Sequence, residues 1–211
     1  MPYVAIIDYG MGNLRSVSKA LERAAEGKKI SIKVTSNPQV IKAAERVVFP
    51  GVGAIRDCMQ ELRNLNLESA IRECAANKPF LGVCLGMQAL FEFSEENEGT
   101  PCFGILSGKV CHFNANQLSL KIPHMGWNIV HQQYNHPLWQ DIPQNSRFYF
   151  VHSYYIVPQQ PSLITGTTDY ITTFASAFAQ KNIFLAQFHP EKSQQLGVQF
   201  LTNFLTWNGI T

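Results

Sequence analysis

Several things are missing from this chain, and each absence removes a class of protein. The five cysteines, at 58, 74, 84, 102 and 111, form no C-x-x-C pair and are odd in number. A disulfide framework or zinc knuckle is therefore not expected, and a reducing cytoplasm suits the thiols better. No metal site and no cofactor are read from the residues. Lys and Arg nowhere cluster among aromatics, and 17 basic against 15 acidic side chains leave a net charge of only +2. Neither nucleic acid nor an anionic membrane is expected as a partner. The opening "MPYVAIIDYGMGN" carries no basic leader and is interrupted by Asp8. It reads as a first buried strand, not as a signal peptide or membrane anchor. No repeat, low-complexity tract or polar linker divides the chain, so residues 1–211 are read as one domain with one sizeable core.

What is present alternates. "YVAIID", "ISIKVTS", "RVVFPG" and "FLGVC" are short apolar runs suited to strands buried on both faces. Between them, Leu14, Val17, Ala20, Leu21 and Ala24 fall at helical spacing with Gly27 beyond, and Leu67, Ala70, Ile71 and Cys74 mark a second stripe. The second half is strand-like and aromatic: "GKVCHF", "GWNIVH", "RFYFVHSYYIV", "LITGTTD", "ITTFASAFA" and "IFLAQFHP". A closing helix begins at Ser193 as N-cap and stops before Gly209. The expected fold is α/β: an open, mostly parallel central sheet with helices on both faces and an antiparallel extension.

One turn carries chemistry. Gly82-Val83-Cys84-Leu85-Gly86 fits the pattern G-x-nucleophile-x-G, in which a strand reverses directly into a helix, here "LGMQALFEF". Such a turn strains the central residue, and glycines on either side relieve the crowding. The thiol then stands over a helix N-terminus, where thiolate is favoured. Taken alone, the pentapeptide fits a buried packing cysteine equally well. Cys74 on a helix stripe and Cys111 in a strand are read as packing residues.

A nucleophilic thiol needs a base. Of the six histidines, His131 and His136 sit near turns, His112 alternates within a strand, and His124 and His152 remain open. His189 ends a buried-type strand in His-Pro-Glu, and side chains two apart on extended chain share a side. Glu191 can therefore orient His189 as the third member of a triad. In "VVFPGVGAIRD", the backbone of Gly51, Val52 and Gly53 can turn N–H groups toward an oxyanion, with Leu85 N–H as a second donor. An ordinary glycine turn into a helix explains that loop as well.

A cysteine elbow, a glycine turn upstream and His-x-Glu downstream, in that order, resemble the class I (triad) glutamine amidotransferases. "IDYGMGNLRSV", "IPHMGWN" at 122 to 128, "FYFVHSYY" at 148 to 155 and "PGVG" are similar to the glutaminase subunits of imidazole glycerol phosphate synthases. The resemblance covers residues 4 to about 207. It implies Cys84 as nucleophile, His189 as acid–base and Glu191 as its orienting partner, acting through a γ-glutamyl thioester. It implies Gln88, Glu96, Ser153 and Tyr154 as holders of substrate glutamine, and Gly51, Val52, Gly53 and Leu85 as the oxyanion site. It also implies a separate cyclase partner, a (β/α)₈ barrel joined as a heterodimer, with Asn13, Met125 and Trp127 at the interface and ammonia passed across for histidine biosynthesis. Two other readings stand beside it: the same glutaminase feeding a different synthase, and a non-catalytic module on the same fold.

Overall fold

The computed structural model describes residues 1–114 and 120–210. The chain begins with β1 (Tyr3–Ile7), α1 (Leu14–Ala24), β2 (Ser31–Thr35), α2 (Pro38–Ala43), β3 (Arg46–Phe49), α3 (Ile55–Asn64), α4 (Glu68–Asn77) and β4 (Phe80–Val83). A short helix α5 (Leu85–Gln88) and the brief strands β5 (Phe93–Ser94) and β6 (Thr100–Pro101) come next. Then follow β7 (Gly108–His112), β8 (His124–Gln132), β9 (Ser146–His152), β10 (Tyr154–Pro158), β11 (Ile164–Asp169), β12 (Thr173–Gln180), β13 (Ile183–Ala186) and α6 (Gln194–Thr206).

The sheet runs β2-β1-β3-β4-β13 in parallel, and β4 and β13 are buried at every residue. Strands buried on both faces need continuous apolar sequence, which is why "FLGV" and "IFLA" lack alternation. On one face, Ile55, Cys58 and Leu62 of α3 pack with Ala70, Ile71 and Cys74 of α4. On the other, Val17 and Leu21 of α1 meet Phe200, Leu201 and Phe204 of α6. Beyond β13 the sheet turns antiparallel: β12 pairs β13, β10 and β11, and β11 leads to the β8–β9 ribbon. The parallel sheet, two helical faces and antiparallel extension match the expected architecture.

Three local expectations change. "RFYFVHSYYIV" is two strands, not one. Residues before Ser153 pair with β8 and those after it with β7 and β12, so the chain changes partners at that residue. The expected helix "LGMQALFEF" closes after Gln88. Ala89, Leu90 and Phe91 are buried with no polar face, and the amide of Glu92 bonds to Gly108 O. Ser193 does not cap α6 through its side chain. Its hydroxyl donates to His189 O at 2.7 Å and accepts from Tyr149 N at 3.0 Å, tying the chain beyond β13 to β9. Cys74 is fully buried and Cys111 nearly so, and all five cysteines are free thiols. Among the described residues no helix is long and apolar enough to cross a membrane.

Candidate active site

Cys84 leaves β4 with φ 53° and ψ −109°, a conformation that costs a residue with a Cβ about 1–3 kcal/mol. The flanking glycines are what allow it. A Cβ on Gly86 would lie 1.9 Å from Phe49 O, and one on Gly82 would lie 2.9 Å from Gly86 O. The expectation that these glycines remove steric crowding is met: Gly86 avoids the backbone of Phe49, and Gly82 avoids both the Leu185 side chain and the backbone of Gly86. The helix that follows is only four residues long, so its dipole gives a weaker bias toward thiolate than the expected longer helix would. Gln187 Nε2 faces Cys84 Sγ as a donor at 3.6 Å, while Val151 O, 3.9 Å away, accepts from the thiol.

His189 and Glu191 are brought together, though not by extended alternation: Pro190–Lys192 form a 3-10 turn that begins just after His189. Nδ1 of His189 donates to Glu191 Oε1 at 2.7 Å, with both side chains almost fully buried. The backbone N–H of His189 is held by Tyr149 O at 2.9 Å. Nε2 has no hydrogen-bond partner among the described residues, which leaves it available to the Cys84 sulfur. Burial disfavours the imidazolium, but the neighbouring Cys84 sulfur and the Glu191 carboxylate outweigh it and raise the His189 pKa above the usual histidine range. A thiol beside such a base can form a thiolate–imidazolium pair.

A cavity of about 240 Å³ opens over the thiol. Cys84, Leu85, Gln88, Val52, Gly53, Ser153 and Tyr154 are among the residues that line it. Glu96 also lines it, with Oε2 accepting from Ile55 N at 3.0 Å at the start of α3. Burial pushes the Glu96 carboxyl above the ordinary carboxylate range, against the pull of that amide. Gly51, His189 and Glu191 lie behind the lining. Gly51 packs so closely that a Cβ there would stand 2.4 Å from Tyr9 Oη and 2.8 Å from Leu85 Cβ. Such a concave site, with one thiol, one carboxylate and several backbone polar groups, can hold a small zwitterion and attack its carbonyl.

Asn13, Met125 and Trp127 stand apart from this cavity and are exposed, Met125 at 62% and Trp127 at 43%. Trp127 is thus the exposed tryptophan, while Trp139 and Trp207 are core residues. Four supporting residues escaped the sequence reading. Tyr9 Oη donates to Pro50 O at 3.1 Å and so anchors the glycine loop. His152 lines the cavity and donates from Nδ1 to Tyr154 O at 2.8 Å. Ser193 and Gln187 hold His189 and Cys84. Gln187 carried no readable signal, since β13 ends at Ala186 and the chain bends at Gln187 and Phe188.

A family model described as glutamine amidotransferase class-I matches residues 5–207. The chain is 66% identical to the imidazole glycerol phosphate synthase subunit HisH of Nitrosococcus oceani, over the full length of both. It is 55% identical to the subunit of the same name from Methylococcus capsulatus, covering 98% of this chain and 97% of that one. Among solved structures, one described as a glutamine amidotransferase aligns with TM-score 0.71 at 15% identity, over 96% of this chain and 99% of that chain. A glutamine amidotransferase from Thermotoga maritima aligns with TM-score 0.64 at 17% identity, over 90% and 76%. These two likenesses concern the fold.

Proposed function

The chain belongs to the class-I glutamine amidotransferases, and on that premise we propose that it hydrolyses glutamine and hands the ammonia to a cyclase subunit, as the glutaminase subunit of an imidazole glycerol phosphate synthase. The observation that carries the reading is the strained Cys84 beside the buried His189–Glu191 pair, at a cavity that Glu96 also lines.

Cys84 Sγ attacks the side-chain carbonyl carbon of glutamine, and His189 Nε2 holds the proton that the thiol gives up. The tetrahedral oxyanion is met by N–H groups from the Gly51–Gly53 loop and from Leu85. When the C–N bond breaks, His189 returns its proton to the departing nitrogen, giving ammonia and a γ-glutamyl thioester. Water then attacks the thioester carbonyl while His189 takes its proton. Collapse of the second intermediate releases glutamate and the thiol. Glu191 fixes the imidazole through Nδ1 and stabilises its cation throughout. Glu96 and Gln88 hold the substrate ammonium, and the Ser153–Tyr154 backbone holds its carboxylate.

The partner is a (β/α)₈-barrel cyclase docked as a heterodimer on the face of Met125, Trp127 and Asn13. There the ammonia completes imidazole glycerol phosphate and releases aminoimidazole carboxamide ribotide. Gly12, next to Asn13, is near the glycine loop, where a Cβ added to it would stand 4.0 Å from Gly51 Cα.

Ammonia release is measured with and without the cyclase and its nucleotide substrate. Turnover rises steeply when both are added, and Cys84→Ala reduces it to background. Undiminished turnover in Cys84→Ala would end this reading. Failure of the cyclase to bind or stimulate would redirect the ammonia to another acceptor.

A further inference from the structure

Gln187 is fully buried, directly follows β13, and has its backbone N–H pinned to Ser176 O at 2.9 Å. Its side chain makes two contacts: Nε2 with Cys84 Sγ at 3.6 Å, and Oε1 with Gln88 Nε2 at 2.9 Å. We propose that Gln187 is a positioning residue for the nucleophile, its carboxamide donating a hydrogen bond that favours the Cys84 thiolate and aims it into the cavity. The proposal rests on the reading of Cys84 as nucleophile.

A carboxamide can be turned end for end, so its direction must come from its neighbours. Here the neighbours leave one solution. The Tyr154 carbonyl oxygen can only accept, so the Gln88 atom 3.0 Å from it is the nitrogen. The second hydrogen of that nitrogen points to Gln187, whose facing atom must then be oxygen. The end of Gln187 that meets the sulfur is consequently N–H. Reversing it would set two amide nitrogens against each other and place a carbonyl oxygen against the sulfur.

The same carbonyl fixes a second chain. His152 Nδ1 must donate to Tyr154 O, so His152 Nε2 accepts, and it does so from His124 Nδ1 at 2.9 Å. His124 Nε2 then accepts from Asn128 Nδ2 at 3.2 Å. Both histidines are neutral in this arrangement, consistent with burial pushing them down to about 4 for His124 and about 3 for His152. The Tyr154 carbonyl is thus held from two sides and cannot swing away from Gln88. With both its hydrogens engaged, Gln88 has only Oε1 to offer the cavity, the polarity needed to accept from an ammonium. One fixed network therefore sets the polarity of a substrate-facing amide and of the donor on the nucleophile.

The test follows the pH dependence of Cys84 alkylation by iodoacetamide in the full chain, with the Cys84 peptide quantified by mass spectrometry. Gln187→Met keeps the volume and removes the N–H, and Gln187→Glu keeps the shape and replaces the donor with a carboxylate. The reactivity midpoint rises by about one pH unit in the Met variant, about tenfold less thiolate below the midpoint, and further in the Glu variant. At neutral pH, kcat for glutamine falls about tenfold. A residue that merely filled space would leave the midpoint unmoved. Circular dichroism reports folding, and whichever variant folds carries the test. An unchanged midpoint in a folded variant overturns the proposal. Should Cys84→Ala retain turnover, the nucleophile reading fails, yet the midpoint still reports the Gln187 hydrogen bond.

Discussion

At the scale of single residues, the site depends on what is absent as much as on what is present. Cys84 can take φ 53° because Gly86 has no Cβ to strike Phe49 O, the last carbonyl of a central parallel strand. The obstacle is backbone in the middle of a sheet, with no flexible side chain able to yield. Gly86→Ala is therefore expected to destabilise the fold by about 3 kcal/mol or more, read as a fall in the urea midpoint, with loss of glutaminase activity. A variant of unchanged midpoint would mean that the elbow can open without cost. The Cys84 turn and the His189–Glu191 contact were legible because each joins residues close in sequence. Tyr9 was not, because its tie to Pro50 O joins residues 41 apart and leaves no local pattern. Gln187 was not readable either, because it lies in a bend just past β13, and its contact with Gln88, 99 residues away, settles which way its amide faces.

At the scale of elements, the strands and helices with one dominant environment were legible, and those serving two were not. β4 and β13 are apolar throughout because both faces are covered, and α1 and α4 show stripes because one face is. The run "RFYFVHSYYIV" looks continuous, yet it divides at Ser153 because its two halves pair with different strands. α5 stops early for a related reason, its continuation being captured by neighbouring extended chain. α2 carried a local signal that passed unread: Asn37 Oδ1 accepts from Gln39 N at 2.9 Å, and Pro38 occupies the first helical position. The β8–β9 ribbon has a consequence for docking. Met125 and Trp127 project from the same side of β8, with Trp127 edge-on to Tyr149 of β9 at 6.1 Å. An exposed tryptophan on a paired ribbon, steadied by a second aromatic ring, is a rigid anchor. Trp127→Ala is expected to weaken binding of the cyclase by about 2 kcal/mol, roughly thirtyfold in Kd by titration calorimetry, while folding stability changes by less than about 1 kcal/mol. Unaltered affinity would move the docking surface elsewhere.

At the scale of the whole molecule, the buried histidines link folding to pH. His124 is stacked between Phe150 and Tyr170, His136 lies against Phe184 and Trp207, and His152 is surrounded by Phe113, Phe150 and Phe174. Burial lowers their pKa values from 6.5 to about 4, about 4 and about 3. For His136 the hydrogen bond works in the same direction, because its Nδ1 accepts from Leu138 N, whereas the bond from His152 to Tyr154 O opposes burial without overcoming it. Below pH 6.5 the unfolded chain binds protons that the folded chain refuses, so stability falls as pH falls, and continues to fall until the folded values are reached. Between pH 6.5 and 5 the loss is about 2 kcal/mol for each histidine, and three such losses rival a total stability of about 5–15 kcal/mol. His189 has the opposite sign: its raised pKa gives a contribution complete below 6.5 and lost only as pH climbs through the folded value, so it does not lessen the acid effect. Most carboxylates titrate below this window and add their own losses later. Urea midpoints measured from pH 7 down to pH 5 are therefore expected to fall steadily, well before general acid unfolding. A flat profile across that interval would require at least two of the three imidazoles to reach solvent or a carboxylate in the folded chain, which their aromatic surroundings oppose.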